Sequence, residues 1–187
     1  LLRHCALRVV APTPWWWRVR TPRLIASPPH ESTTGIDALF PSYWSIPSLW
    51  PAHGLAIAAS MAPILRRIRR EFPFDVILAA WAYPDAVGAA HLAKLFGVPL
   101  LVTVLGSDVN ESGKHLALRP QIASALRSAA RVISVSAALG DRVADMGVER
   151  SRIAIVRNGV DGEAFALRDM RQARARLALP QDKPMVT

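Results

Sequence analysis

Four short apolar runs, spaced by helix-like segments and each ending in polar residues, dominate residues 74–165. Asp75-Val-Ile-Leu-Ala-Ala80 leads into Trp81-Ala-Tyr-Pro-Asp85, and Val98-Pro-Leu-Leu-Val-Thr-Val-Leu105 leads into Gly106-Ser-Asp-Val-Asn110. Arg131-Val-Ile-Ser-Val-Ser136 opens a helical pattern, and Ile153-Ala-Ile-Val-Arg-Asn-Gly-Val-Asp161 closes the series. Near-continuous apolar strands at 76–79, 100–104, 132–135 and 153–156, separated by helical crossovers, are what a parallel sheet covered on both faces requires. The expected class is therefore α/β, an open parallel sheet with helices on both faces. In such sheets ligands bind beyond the carboxyl ends of the strands, which directs attention to Gly106, Ser107 and Asp108.

The intervening helices carry their own stop and start signals. Residues 54–71 place Ile57, Met61, Ile64, Leu65 and Ile68 at helical spacing, a stripe read as core. A second helix, 84–96, begins at Pro84 with Asp85 in its first turn and ends before Gly97; its alanines suit close packing on a sheet, and His91 is read as a surface residue. Helices are further expected over 120–130, over 137–146 with Ser136 as its cap and Gly147 as its stop, and over 168–177.

Residues 1–53 are less regular. Leu7-Arg-Val-Val-Ala11 reads as a buried strand ended by Pro12, and 18–53 as an irregular excursion rich in Pro, Ser and Trp. Trp15-Trp16-Trp17, followed by Arg18 and Arg20, suits either an amphipathic patch at a membrane surface or a loop pinned down by aromatic packing.

Charge and cysteine content narrow the class. There are 23 Lys and Arg against 14 Asp and Glu, a net charge of +9, yet no nucleic-acid-binding motif accompanies them. The clusters Arg66, Arg67, Arg69, Arg70 and 168–176 fall on expected helices and read as solvated faces. No apolar run approaches the roughly 20 residues needed to span a bilayer. The single cysteine, Cys5, fits a reducing cytoplasm, and no metal-ligand spacing, G-x-G-x-x-G, Walker A or G-x-S-x-G motif is present. The chain starts at Leu1 and stops at Pro184-Met-Val-Thr187, which resembles the opening of a new strand, so it is read as a fragment.

At Trp81-Ala-Tyr-Pro-Asp85, Gly106-Ser-Asp-Val-Asn110, Val135-Ser136 and Arg157-Asn-Gly-Val-Asp161 the sequence resembles the N-terminal, acceptor-side domain of family-4 glycosyltransferases. The likeness extends to Val9-Val-Ala-Pro-Thr-Pro-Trp15 and Arg176-Leu-Ala-Leu-Pro180, and is loose over 18–53. The resemblance implies the N-terminal half of a GT-B fold, a Rossmann-like domain over residues 1–167 lacking its first strand. Residues 168–187 would then be a linker helix and the start of a nucleotide-sugar-binding domain. It implies a retaining enzyme that moves a sugar from a nucleotide sugar to a sugar or lipid-linked acceptor, in polysaccharide or glycoconjugate assembly. No cofactor or metal is expected beyond that co-substrate, and the expected location is cytoplasmic, with membrane association left open by the tryptophans.

Under the resemblance, Gly106, Ser107 and Asp108 form a cleft loop in which Ser107 and Asp108 offer a hydroxyl and a carboxylate to sugar hydroxyls. The alternative for Asp108 is an Asx turn to its own backbone. Trp81 and Asp85 match a second cleft loop, with Trp81 available to stack on a sugar or to pack structurally. Leu105 stands where many relatives carry a His that contacts the donor sugar, and no Glu here has another eight residues on, so no catalytic residue is assigned. The fragment alone is expected to be inactive. Two other classes compete: a noncatalytic acceptor- or partner-binding module and, more distantly, a basic nucleic-acid-binding protein.

Overall fold

A computed structural model describes residues 4–20, 30–33 and 36–185. The chain divides into two compact units, Leu1–Arg157 and Asn158–Thr187. Residues 158–169, which open the second unit, are all exposed.

The first unit opens with strands β1 (Arg8–Val10) and β2 (Thr13–Pro14) and a short helix α1 (Trp15–Arg20). Strands β3 (His30–Thr33), β4 (Ile36–Leu39) and β5 (Ser42–Tyr43) follow, then a 3-10 turn over Pro47–Ala52. The stretch expected to be irregular is therefore partly sheet. β4 pairs parallel with β1 and antiparallel with β3, and β5 pairs parallel with β2. The antiparallel β3 departs from an all-parallel arrangement. These strands are two to four residues long, too short for side-chain periodicity to reveal them.

The long helix α2 (His53–Glu71) leads to β6 (Ile77–Ala80), a wide turn over Ala82–Ala86, and α3 (Val87–Phe96). Then come β7 (Leu100–Val104), the single turn α4 (Ser107–Asn110) and a 3-10 turn over Ser112–Lys114. Helix α5 (Arg119–Ser128), β8 (Arg131–Ser134), α6 (Ala137–Ala144) and, after a further 3-10 turn, β9 (Ile153–Ile155) complete the unit. The sheet β6-β7-β8-β9 is parallel throughout, with Ile77 opposite Leu100, Val102 opposite Val132 and Ile133 opposite Ala154. The α/β class and parallel sheet follow the sequence reading, and the capping does too. Ser136 Oγ accepts from the Leu139 N–H at 3.3 Å, and α3 ends on Gly97 at φ 65°.

Two expectations need correction. Val76 and Leu78, taken as buried, are each 43% exposed: Val76 lies just before β6, and Leu78 lies in β6, which is the sheet's edge strand and, among the described residues, pairs only with β7. The basic cluster is not uniformly solvated: Arg69 donates to the Phe96 carbonyl at 2.6 Å and lies over the Phe74 and Phe96 rings. Its stem and charge both seal the end of α3.

The core is built from Val102, Val104, Val132, Ile122, Leu126 and Val143, all fully buried between β7, β8 and the helices α5 and α6. A second cluster joins Tyr43, Ile57, Met61 and Leu92. Contrary to the reading that no apolar stretch reaches membrane-spanning length, Pro47–Glu71 is long and apolar enough to cross a bilayer by length and composition. In this fold α2 is packed against α3 instead. A Cβ on Gly54 would stand 2.5 Å from Val87 Cγ1, and one on Gly88 2.7 Å from Ile57 Cγ2 and 3.0 Å from the Gly54 carbonyl. The two helices meet backbone to backbone at these glycines.

In the second unit, α7 (Met170–Arg176) is capped by Asp169, whose Oδ1 accepts from the Gln172 N–H at 2.9 Å. Arg174 gathers the carbonyls of Pro180, Gln181 and Lys183.

Candidate functional site

Because β6 and β7 run parallel and in register, their carboxyl ends deliver two loops to one edge of the sheet. The first is Trp81–Ala86 and the second Gly106–Asn110. All five residues singled out from sequence, Trp81, Asp85, Gly106, Ser107 and Asp108, lie on these loops.

Asp108 joins the two loops. It is fully buried, and its oxygens accept three backbone N–H groups: Gly106 at 2.7 Å, Ala82 at 2.9 Å and Leu105 at 3.2 Å. The bonds to Leu105 and Gly106 are the local turn considered as the alternative, but the bond to Ala82 reaches across to the other strand end. The carboxyl group is enclosed and turned toward backbone donors of both loops, which is the arrangement of a residue that holds the loops together.

Gly106 is required by conformation. Its φ of 142° and ψ of −76° disfavour any side chain, while a Cβ there would meet nothing within 4 Å. Open space therefore lies beside the backbone at this point. Ser107 is exposed next to that space, and its carbonyl accepts the Glu111 N–H at 2.9 Å. Leu105 is also exposed, presenting an apolar side chain at the strand end.

Trp81 holds a φ of 108°, a conformation that costs a bulky L-residue energy and persists only where surroundings enforce it. Here its N–H donates to the Thr103 carbonyl at 2.9 Å and its carbonyl accepts the Ala86 N–H at 3.0 Å. The wide turn so formed carries Asp85. Burial pushes the Asp85 carboxyl up to about 6, its own backbone N–H only partly opposing this.

Sequence reading missed three residues here. Tyr43 and Tyr83 are the chain's two tyrosines, and both are buried. Burial, then the neighbouring Asp85 charge, raise the Tyr43 hydroxyl above its usual value, and burial raises Tyr83, whose hydroxyl donates to the Trp50 carbonyl. Tyr43 reaches the site from the short β5, which no local pattern marks. The third is Asn110, whose Oδ1 is buried without a hydrogen-bond partner among the described residues. Its place two residues after Asp108 was the only available signal. No group of three His, Cys, Asp or Glu side chains among the described residues is arranged to hold a metal.

Asp85 has a measurable consequence. Between pH 3.8, its ordinary value, and about 6, only the unfolded chain has released this proton. Stability therefore falls as pH rises through that window, by on the order of 1–3 kcal/mol in all; below it Asp85 costs nothing, and above it the loss is complete and no longer changes with pH. Asp85→Asn should flatten this part of a melting-temperature profile. Profiles with the same slope in both proteins would show that Asp85 titrates normally.

The sequence model of Glycosyltransferase Family 4 matches residues 9–164. No curated protein matches the chain. Among solved structures, Anabaena HepE in complex with UDP is similar at 18% identity and a TM-score of 0.52, covering 75% of this chain and 36% of that one. Anabaena HepE with UDP and glucose is similar at 19% identity and a TM-score of 0.53, covering 76% of this chain and 37% of that one. At such identities the likeness is one of fold, and the chain spans little more than a third of the length of either structure.

Proposed function

Since the chain belongs to glycosyltransferase family 4, we propose that it forms the acceptor-side wall of an enzyme transferring a sugar from a nucleotide sugar to a sugar or lipid-linked acceptor. The observation that carries this is the pair of loops at the carboxyl edge of the sheet, tied together by Asp108 through Ala82, Leu105 and Gly106. That pin leaves Ser107 exposed beside open backbone and holds Asp85 part-buried on the facing loop. Trp81 supplies an apolar face, Ser107 a hydroxyl and Asp85 a carboxyl able to accept from an acceptor hydroxyl. The HepE structures, which contain UDP and glucose, favour a uridine-diphosphate sugar as the first donor to try. The same reading carries retention of anomeric configuration, a role in polysaccharide or glycoconjugate assembly, a cytoplasmic location, and no cofactor beyond the donor. The activity is proposed for the whole enzyme and not for residues 1–187 acting alone.

Asp85 is the residue to test. In the protein expressed from its complete gene, Asp85→Asn should lower sugar transfer roughly ten- to a hundredfold, the value of one hydrogen bond to a charged group made in the transition state. The melting temperature above pH 7 should not fall with it. Transfer lost only in proportion to folded protein would remove Asp85 from the site, and absence of transfer from every nucleotide sugar would favour a noncatalytic binding module.

A further inference from the structure

Helix α2 begins without a cap of its own. Ala52 stands at its N-cap with no side-chain bond to the helix, and its first turn holds no Asp or Glu. A helix start leaves its first amide groups in need of acceptors, and α2 finds one in a distant segment. The Tyr83 hydroxyl, from the loop after β6, donates to the Trp50 carbonyl, which also accepts the His53 N–H. Its oxygen in turn takes the backbone N–H groups of Gly54 and His53. A phenolic oxygen can donate and accept at once, so one side chain joins the 3-10 turn, the start of α2 and its own loop. Ala82, Tyr83 and Ala86 are all buried, so bulk water does not compete for these groups.

The loop so tethered is the one that carries Asp85. Two consecutive residues hold it: Ala82 through its N–H to Asp108 at 2.9 Å, and Tyr83 through its hydroxyl to the start of α2. The helix start lies hard against the same turn, since a Cβ on Gly54 would stand 2.5 Å from Val87 Cγ1 and 3.5 Å from the Pro84 carbonyl. Asp85 follows directly, with Tyr43 of β5 facing it and the Tyr43 and His53 rings meeting edge-on at 6.1 Å. Helices α3 and α5, which also pack on this loop, carry His91, Lys94, Arg119 and Arg127, and the neighbouring loop carries Asp108. Burial, and none of these charges, is what raises the Asp85 carboxyl.

We propose that Tyr83 is a positioning residue for sugar transfer: by capping α2 with its hydroxyl it holds the Asp85 carboxyl, sheltered from water, where the acceptor arrives. Its bearing on the acceptor rests on the transferase reading, whereas the tether does not and is measured without any transfer. Removing the hydroxyl leaves the Trp50 carbonyl and the Gly54 N–H to recruit water. Water entering there reaches the loop beside Asp85, relieves the burial that raises its carboxyl and loosens its place.

The test is Tyr83→Phe, which keeps the ring and removes only the hydroxyl, in the protein expressed from its complete gene. Carboxyl-carbon NMR follows Asp85 as pH is varied: it should titrate at about 6 in the wild type and lower by about one pH unit or more in the variant. The kcat/KM for the acceptor should fall roughly tenfold with the donor KM unchanged, since a displaced contact weakens only the partner it meets. Val143→Ala, a fully buried core position in α6, should lower the melting temperature and leave the Asp85 titration where it was. An Asp85 titration identical in Tyr83→Phe and wild type, or moved as far by Val143→Ala, would overturn the proposal. Should Tyr83→Phe not fold, the wild type decides. Its Tyr83 hydroxyl proton should be protected from exchange and close to the Gly54 N–H, and a hydroxyl exchanging freely with water would overturn the tether. Absence of transfer by the wild type would sink the transferase reading, while the Asp85 titrations would still report whether Tyr83 holds the loop.

Discussion

Asp108→Ala is expected to destabilise the chain by roughly 3–5 kcal/mol, a large part of the 5–15 kcal/mol that holds a typical domain together. The substitution leaves the N–H groups of Ala82, Leu105 and Gly106 facing a void lined by a buried side-chain position. Each buried donor left unsatisfied costs about 1–3 kcal/mol, and the three do not add fully because the loops can relax toward water. For a chain of this size the melting temperature should fall by about 6–20 °C. Asp108→Asn keeps one acceptor oxygen but points an amide N–H at a second donor, so its loss should lie between the wild type and the alanine variant. Ser107→Ala, at an exposed neighbour, should stay within about 0.5 kcal/mol. Urea unfolding of the three variants reads this directly. An Asp108→Ala protein as stable as the wild type would show that the carboxyl group is not a structural pin and would reopen its role as a ligand contact.

Gly88→Val should be nearly as damaging, by roughly 2–4 kcal/mol. Helix propensity argues the other way, since replacing a helical glycine by alanine ordinarily stabilises, by about 1 kcal/mol in a helix interior and less in the first turn, where Gly88 lies. Packing overrules it here. The new Cβ would lie 2.7 Å from Ile57 Cγ2 and 3.0 Å from the Gly54 carbonyl, and the backbone oxygen cannot swing aside. Helices α2 and α3 must then separate, and α3 begins directly after the turn that carries Asp85, so the strain reaches the site. Gly88→Ala should also destabilise, by less. A rise in melting temperature for Gly88→Ala would mean that propensity wins and that the two helices are not in close contact.

These two positions mark the limit of what local sequence discloses. Strand β7 (Leu100–Val104) falls where its apolar run predicts, because a strand flanked by others and covered by helices must be apolar along its length. Strand β6 obeys the same pattern in sequence but stands at an edge, where Leu78, and Val76 just before the strand, are exposed. Neighbourhood in a sheet is a property of distant segments and leaves no mark on the strand itself. The same holds for β3, β4 and β5, short strands that exist through pairing with β1, β2 and one another.

For the candidate site, the sequence alone determined the α/β class, the order of the elements and the gathering of Trp81, Asp85, Gly106, Ser107 and Asp108 at strand ends. All of these follow from hydrophobic period, from turn chemistry and from the rule that parallel strands present their carboxyl ends to ligands. Only the tertiary structure decided which way each group faces. It buried Asp108 under three backbone donors, left Ser107 outside, raised Asp85 by desolvation and set Tyr43 beside it. The physical reason is that burial and partners are created by the approach of segments far apart in the chain: Ala82 and Asp108 are 26 residues apart, Tyr83 and Trp50 33. A carboxyl group in a loop reads identically in sequence whether it will meet a sugar or its own backbone.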